Sequence, residues 1–255
     1  MKTVDATASG DKMNEVDKPD NWDEPQHILV ILAHPDDPEF FCGGAVARWT
    51  TAGHRVSYCL LTCGEKGTED RELPSDELCS LRQREQIAAA AVLGVHEVRF
   101  LDYPDGYLIP DLELRRDITR VLRQEQPDIV VTCDPTNLYV RDNYLNHPDH
   151  RAAGQATLDA VFPAARDHLN FIELWRDEKL EPHIVREVWV SGPKEANIDL
   201  DVTPFWDRKL QALQEHRSQI SDPTGLEQRL RSRHTPDSTP ENPRYEEHYR
   251  RLVLG

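Results

Sequence analysis

The sequence predicts an α/β fold, a mostly parallel sheet with helices on both faces, and three observations carry that expectation. Five short, nearly continuous apolar runs recur along the chain. Segments of helical periodicity alternate with them. Clusters of histidine and aspartate follow two of the runs. Apolar runs of this length suit strands buried on both faces of a parallel sheet. Regular alternation of strand and helix implies right-handed crossovers.

Taken in order, residues 1–25 are polar, acidic and short of large hydrophobes, and are expected to form a mobile tail. Residues 26–255 are expected to form a single α/β domain. HILVILA (27–33) reads as the first strand, and GGAVARWTTAG (43–53) as a helix ending at a glycine suited to its C-terminus. RVSYCLLT (55–62) is the second strand. SDELCSLRQREQIAAAAVLGV (75–95) opens on residues suited to N-capping and continues in strong helix formers. EVRFLD (97–102) and DIVVTC (128–133) are strands on either side of an amphipathic helix, DLELRRDITRVLRQEQP (111–127), that stops at Pro127. HRAAGQATLDAVFPAAR (150–166) is a helix, EVWVSG (187–192) a strand and TPFWDRKLQALQEHRSQI (203–220) a late amphipathic helix. Residues 221–243, rich in Pro, Ser, Thr and charge, read as a polar loop before a short closing helix, RYEEHYRRLVL.

The net charge of −16 makes binding to nucleic acid or an anionic membrane surface unfavourable. The N-terminus lacks the apolar core of a secretory signal, and no apolar run approaches the ~18 residues that span a bilayer. The five cysteines are odd in number and form no CxxC pair, so all are expected to be reduced. Together these features lead to the expectation of a soluble, cytoplasmic protein.

AHPDDPEF (33–40) stands directly after the first strand, and ligands of open α/β sheets sit outside the carboxyl ends of strands. No GxGxxG occurs at this turn, so a Rossmann-type phosphate cradle is not expected. Neutral imidazole and carboxylate are good Zn²⁺ ligands, and catalytic zinc takes three protein ligands and a water. Adjacent ionised aspartates repel; one on the metal and one beside the water, as general base, resolves the conflict. Taken alone, this motif is equally a polar turn whose aspartate caps the next helix. The second cluster is HPDH (147–150), after the 128–133 strand and a polar loop. His147 and His150, three apart, lie on similar faces of a helical turn. A helix start disfavours the cationic form and so favours the neutral, ligating imidazole. An HExxH zincin has a different spacing and carries a glutamate between its histidines. Two such clusters after two strands converge on one sheet edge.

The combination resembles the LmbE/PIG-L family of zinc-dependent N-acetylglucosaminyl deacetylases, whose signatures stand here as AHPDDPEFFCGG and NHPDHRAAG. LLTCGEKGT (60–68), LRQREQIAAAAVLGV with Arg82 and Glu85, LDYPDGYL (101–108) and KLQALQEHRSQI (209–220) are similar to further family segments in the same order. The resemblance covers most of residues 27–220. It implies the Rossmann-like fold of that family and a catalytic domain over 26–255. It implies that His34, Asp37 and His150 bind Zn²⁺, with Fe²⁺ as the other candidate metal. Asp36 would be the general base, His147 would stabilise the oxyanion or protonate the leaving amine, and Asp149 would orient His147. Arg82 and Asp105 would contact sugar hydroxyls or a substrate anion. The implied activity removes the acetyl group from a small N-acetylglucosamine-type substrate, with no nucleic-acid or membrane partner. Relatives are often oligomeric, which implies a homo-oligomer. A related amidase cleaving a thiol conjugate would share every catalytic residue, and a non-catalytic sugar- or metal-binding module is the third reading. Pro38 intervenes between the second aspartate and Glu39, where many relatives have glutamate directly.

Of the remaining residues, Tyr139, Arg141 and Tyr144 precede HPDH and either line a pocket or are ordinary loop residues. His54, His96, His168 and His183 read as surface or structural. For His216 a helix-surface position is the simpler expectation. Trp49, Trp175, Trp189 and Trp206 are expected in the core or an interface.

Overall fold

The computed structural model describes residues 20–140 and 143–254. Arg141 and residues 1–19 of the expected tail lie outside these. Seven strands form one sheet in the order β3 (Glu97–Tyr103), β2 (Arg55–Thr62), β1 (His27–Leu32), β4 (Ile129–Cys133), β7 (Glu187–Ser191), β9 (Glu246–Val253) and β8 (Ile198–Asp201). The first five are mutually parallel, while β9 runs antiparallel to both neighbours. The sheet is flanked by α1 (Asp37–Thr51), α2 (Ser75–Val92), α3 (Leu112–Glu125) and α4 (Pro148–Asp159), with α5 (Ile172–Arg176), α6 (Trp206–Leu213) and α7 (Pro223–Arg231) completing the chain. A two-residue hairpin, β5 (Tyr139–Val140) and β6 (Tyr144–Leu145), precedes α4.

The apolar runs behave as parallel strands must. Residues 28–32 of β1 and 129–131 of β4 are essentially inaccessible, since helices cover both faces. β3 lies at the sheet edge and is only partly buried, although its sequence resembles the central strands. From β1 the chain winds outward through β2 and β3, then returns to β4 on the other side of β1. That reversal makes the β1/β4 boundary the topological switch point, where the loops after the two strands open a crevice.

Four expectations are corrected. The closing segment is a strand, not a helix. Its inward positions include Glu247 and Tyr249 while His248 and Arg250 face out, so a buried glutamate hides the two-residue period. Glu247 accepts from the Gly44 and Ala45 amides at 2.9 and 2.8 Å and from Lys209 Nζ at 2.7 Å, which compensates its burial. The polar stretch 221–243 contains α7, started by Asp222 accepting from the Gly225 amide at 2.9 Å. Residues 20–25, at the end of the expected tail, dock on the fold. Trp22 packs against Trp49 and Trp189 and donates to Glu187 at 3.2 Å, and Asp20 accepts from Arg48. Finally, the cysteines are not all reduced. Cys63 and Cys79 form a disulfide, with Cys42, Cys59 and Cys133 free and buried. The pairing was invisible in the sequence because α2 folds back over the loop that follows β2. At a sequence separation of 16, the link contributes about 3 kcal/mol by chain entropy. The cysteine argument for a reducing compartment does not extend to this pair. Among the described residues no helix is long and apolar enough to cross a membrane.

Candidate active site

Both sequence clusters reach the switch-point crevice. The first leaves β1 directly into a tight turn: Asp36 has φ 89°, left-handed backbone that few non-glycine residues adopt, and α1 begins at the next residue. The second is placed by α4, whose N-cap is His147. Gly154 lets this helix lie directly on the end of β4, because a side-chain carbon there would overlap the carbonyl of Cys133.

Asp37 sits between two imidazoles. Its Oδ2 is 3.4 Å from His34 Nδ1 and its Oδ1 is 3.1 Å from His150 Nε2. Ligand bonds of ~2.0–2.1 Å in a tetrahedron separate donor atoms by roughly 3.3 Å, and each of these two spacings is of that size, with the imidazoles meeting different oxygens of Asp37. The far side of each imidazole is occupied. His34 Nε2 lies 3.1 Å from Asp105 and 3.3 Å from Asp149, and His150 Nδ1 lies 3.1 Å from Asn146 Oδ1. Carboxylate or amide acceptors behind metal-binding histidines fix the tautomer that leaves the other nitrogen free. The ligating atoms of His34, His147 and His150 also lie within 4.8 Å of one another, as do those of His34, Asp105 and Asp149. A third grouping, Cys63, Cys79 and Asp102, has its sulfurs joined in the disulfide and offers no thiolate.

The charge balance points the same way. Asp36, Asp37, Asp105 and Asp149 converge on the crevice, with Arg82 against Asp36 and the Lys66 ammonium on the Asp105 carbonyl. Burial alone would lower the His34 imidazole, but hydrogen bonds to Asp105, Asp149 and Asp37 push it up to about 12. Burial would raise Asp37, yet His150 and His34 hold it well below the usual carboxylate range. A divalent cation bound among these groups would offset the concentration of carboxylates. The donor set therefore fits a metal.

Asp36 differs from its neighbours. Burial and the adjacent Asp37 carboxylate raise it to about 6, against the pull of Arg82, whose Nη2 is 3.3 Å away. His147 accepts the Asp149 amide at Nδ1, 3.2 Å, which leaves the proton on Nε2. Burial and repulsion from His34 lower its pKa, so it stands as a neutral donor. Its ring lies 4.8 Å from that of His34, centroid to centroid.

The side chains of three expected site residues make the following contacts. The Asp149 carboxylate turns to His34 rather than His147, clamped by the amides of Gly106 at 2.6 Å and Leu108 at 3.2 Å. Arg82 is buried and donates to the carbonyls of Gly64 and Pro35 and to Asp36, so it braces the turn instead of reaching into open space. Gly64, at φ 69°, is the residue that allows this, since any side chain there would collide with the guanidinium. Asp105 faces His34 and accepts the Lys66 amide at 3.1 Å. His34 and the Lys66 amide outweigh the effect of its burial and bring it down to about 2. Tyr139 and Tyr144 are exposed on the β5–β6 hairpin. His216 is not on a helix surface: it is fully buried against Glu39 at 3.0 Å. Asn146, Glu39 and Gln86 stand inside the segments that carry the resemblance, with no role assigned to them there. Asn146 could have been found from its place four residues before His150, one turn back from the ligand it supports.

A family model described as "PIG-L: GlcNAc-PI de-N-acetylase" matches residues 29–161. The chain is 34% identical to a diacetylchitobiose deacetylase of Thermococcus kodakarensis, over 79% of this chain and 73% of that one. It is 28% identical to a probable N-acetyl-alpha-D-glucosaminyl L-malate deacetylase 2 of Bacillus anthracis, over 77% and 82%. The solved structure of N,N'-diacetylchitobiose deacetylase from Pyrococcus horikoshii, complexed with its inhibitor MPG, superposes with a TM-score of 0.81 at 30% identity, covering 94% of this chain and 87% of that one.

Proposed function

The chain belongs to the PIG-L (LmbE-like) family, and from that premise we propose that it is a metal-dependent hydrolase that removes the acetyl group from a small N-acetylglucosaminide. The observation that carries this is the meeting of two imidazoles around Asp37, with Asp36 raised to about 6 beside them. Structural and sequence relatives named as deacetylases of diacetylchitobiose and of the malate glycoside support the substrate class.

In this reading His34, Asp37 and His150 hold the metal; two imidazoles and one carboxylate suit both Zn²⁺ and Fe²⁺, and the absence of any redox step in amide hydrolysis makes Zn²⁺ the first candidate. When bound, the ion supplies Lewis-acid polarisation of the acetamide carbonyl and acidifies water. Asp36 takes one proton from the water whose oxygen attacks the carbonyl carbon. His147 donates a hydrogen bond from Nε2 to the developing oxyanion. As the C–N bond breaks, the proton held by Asp36 passes to the leaving nitrogen, giving acetate and a free amine. Asp105, Asp149 and Asn146 keep the two imidazoles oriented, and Arg82 keeps Asp36 from being protonated too readily.

Primary-amine release from the glycosides of malate and inositol and from diacetylchitobiose, with zinc-loaded protein, tests this. Release from one or more of them is expected. Silence across the panel with metal bound would move the assignment to another amide. The pH dependence has a definite sign. Asp36 must be ionised to accept a proton, so kcat/KM is expected to fall as pH drops through about 6, or lower when the metal's charge adds to that of Arg82. Arg82→Met removes a cation 3.3 Å from the carboxylate and should move this limb up by about one unit or more. An unmoved limb would show that another group controls it.

A further inference from the structure

His216 lies far from Asp36 in sequence, yet the two are linked by a chain of buried side chains. Glu39, in the first turn of α1, Gln86 on α2 and His216, in the segment after α6, are all fully inaccessible. His216 Nε2 is 3.0 Å from Glu39 Oε2. Gln86 Nε2 donates to both Glu39 oxygens, at 3.0 and 3.1 Å, and Gln86 Oε1 accepts the Asp36 amide at 2.8 Å. We propose that His216, Glu39 and Gln86 form a positioning chain that holds the backbone of Asp36 in its left-handed conformation and thereby orients the general base. The kinetic part of this proposal rests on the deacetylase reading.

The chain has a direction. A side-chain amide has a donor end and an acceptor end, and a carboxylate can only accept. Glu39 therefore takes the NH₂ end of Gln86, which leaves the carbonyl facing the Asp36 amide. Reversing the amide would lose both contacts. A buried carboxylate needs compensation, and His216 supplies it at the end of the chain. The conformation being held is a costly one. Left-handed backbone at a non-glycine residue is strained and persists where its surroundings over-determine it. Around Asp36 they do: Gln86 holds its amide, the Phe40 amide donates to its carbonyl at 3.0 Å, and Arg82 reaches its carboxylate.

The segment that delivers His216 is fastened to the same elements. Ser218 donates from its amide and hydroxyl to Glu85 at 2.9 and 2.6 Å, and Gln219 donates to the Gly67 carbonyl at 2.9 Å. Glu85 lies on α2 beside Gln86, and Gly67 ends the tight turn begun at Gly64, whose carbonyl holds Arg82. Residues 216–219 thus close the back of the turn that presents Asp36.

Gln86→Met, His216→Leu and His216→Gln test the proposal through kcat, KM, bound metal and hydrogen–deuterium exchange of the peptide spanning 33–41. Gln86→Met and His216→Leu are expected to keep the metal, to leave KM within about twofold and to lower kcat roughly 10–100-fold, the scale of a misplaced catalytic group. Exchange at the Asp36 amide should accelerate in both. His216→Gln keeps a donor for Glu39 and should recover most of kcat. A wild-type kcat or unchanged exchange in Gln86→Met would overturn the proposal, leaving these residues as packing between α1 and α2 that alters only thermal stability. Should His216→Leu fail to fold, Gln86→Met decides. A wild-type protein that releases no amine counts against the deacetylase reading, and exchange at Asp36 then decides the positioning chain by itself.

Discussion

Asp36→Asn is expected to lower turnover by about 10²–10⁴-fold while the protein keeps its metal, the range set by loss of a general base. Asparagine is the informative replacement because the position has φ 89°, a conformation that asparagine tolerates better than alanine does. It also keeps a carbonyl oxygen for Arg82, so the brace on the turn survives. What disappears is the ability to take a proton in the neutral pH range, for which this carboxylate is suited by burial and by the repulsion of Asp37. The measurement is steady-state amine release together with metal content. Retention of more than about a tenth of the wild-type rate would remove Asp36 as the base, because general-base contributions are not that small. Loss of metal in the same variant would instead make Asp36 part of the ligand set.

His150→Ala is expected to lose the metal altogether under conditions where the unaltered protein binds it stoichiometrically. His150 Nε2 points at Asp37, 3.1 Å away, with Nδ1 anchored on Asn146, so the variant removes the nitrogen that faces Asp37. Asn146→Leu is the graded comparison. It leaves the ligand and removes its support, which typically weakens metal affinity 10–100-fold. Metal analysis after dialysis, with a competition titration for the asparagine variant, reads both. Stoichiometric metal in His150→Ala would take His150 out of the set and leave His147, whose ligating atoms lie within 4.8 Å of those of His34 and His150, as the replacement.

Much of the architecture was legible because parallel strands buried on both faces must be written as apolar runs, and those at 27–32, 55–62, 129–133 and 187–191 are strands in the structure. The family motifs were legible for a related reason: they follow strand ends, where an α/β sheet collects its ligands. Segments governed by long-range contacts were not. β9 reads as a helix in the sequence because one of its inward side chains is Glu247, acceptable there only beside Lys209 and two amides in the middle of α1, just past the kink at Cys42. His216 reads as exposed in the sequence because its partner, Glu39, lies 177 positions away.

The sequence by itself determined the α/β class, the succession of the main strands and helices, and the two histidine–aspartate clusters after β1 and β4. Only the tertiary structure decided who faces whom within the site. The Asp149 carboxylate backs His34, Arg82 braces Asp36, Asn146 supports His150, and a disulfide ties Cys63 to Cys79. The physical reason is that strand and helix formation answer to local periodicity, which a sequence displays. The partner of a buried polar group answers to whichever donor or acceptor the crossovers bring within 3 Å or so, which local sequence does not encode.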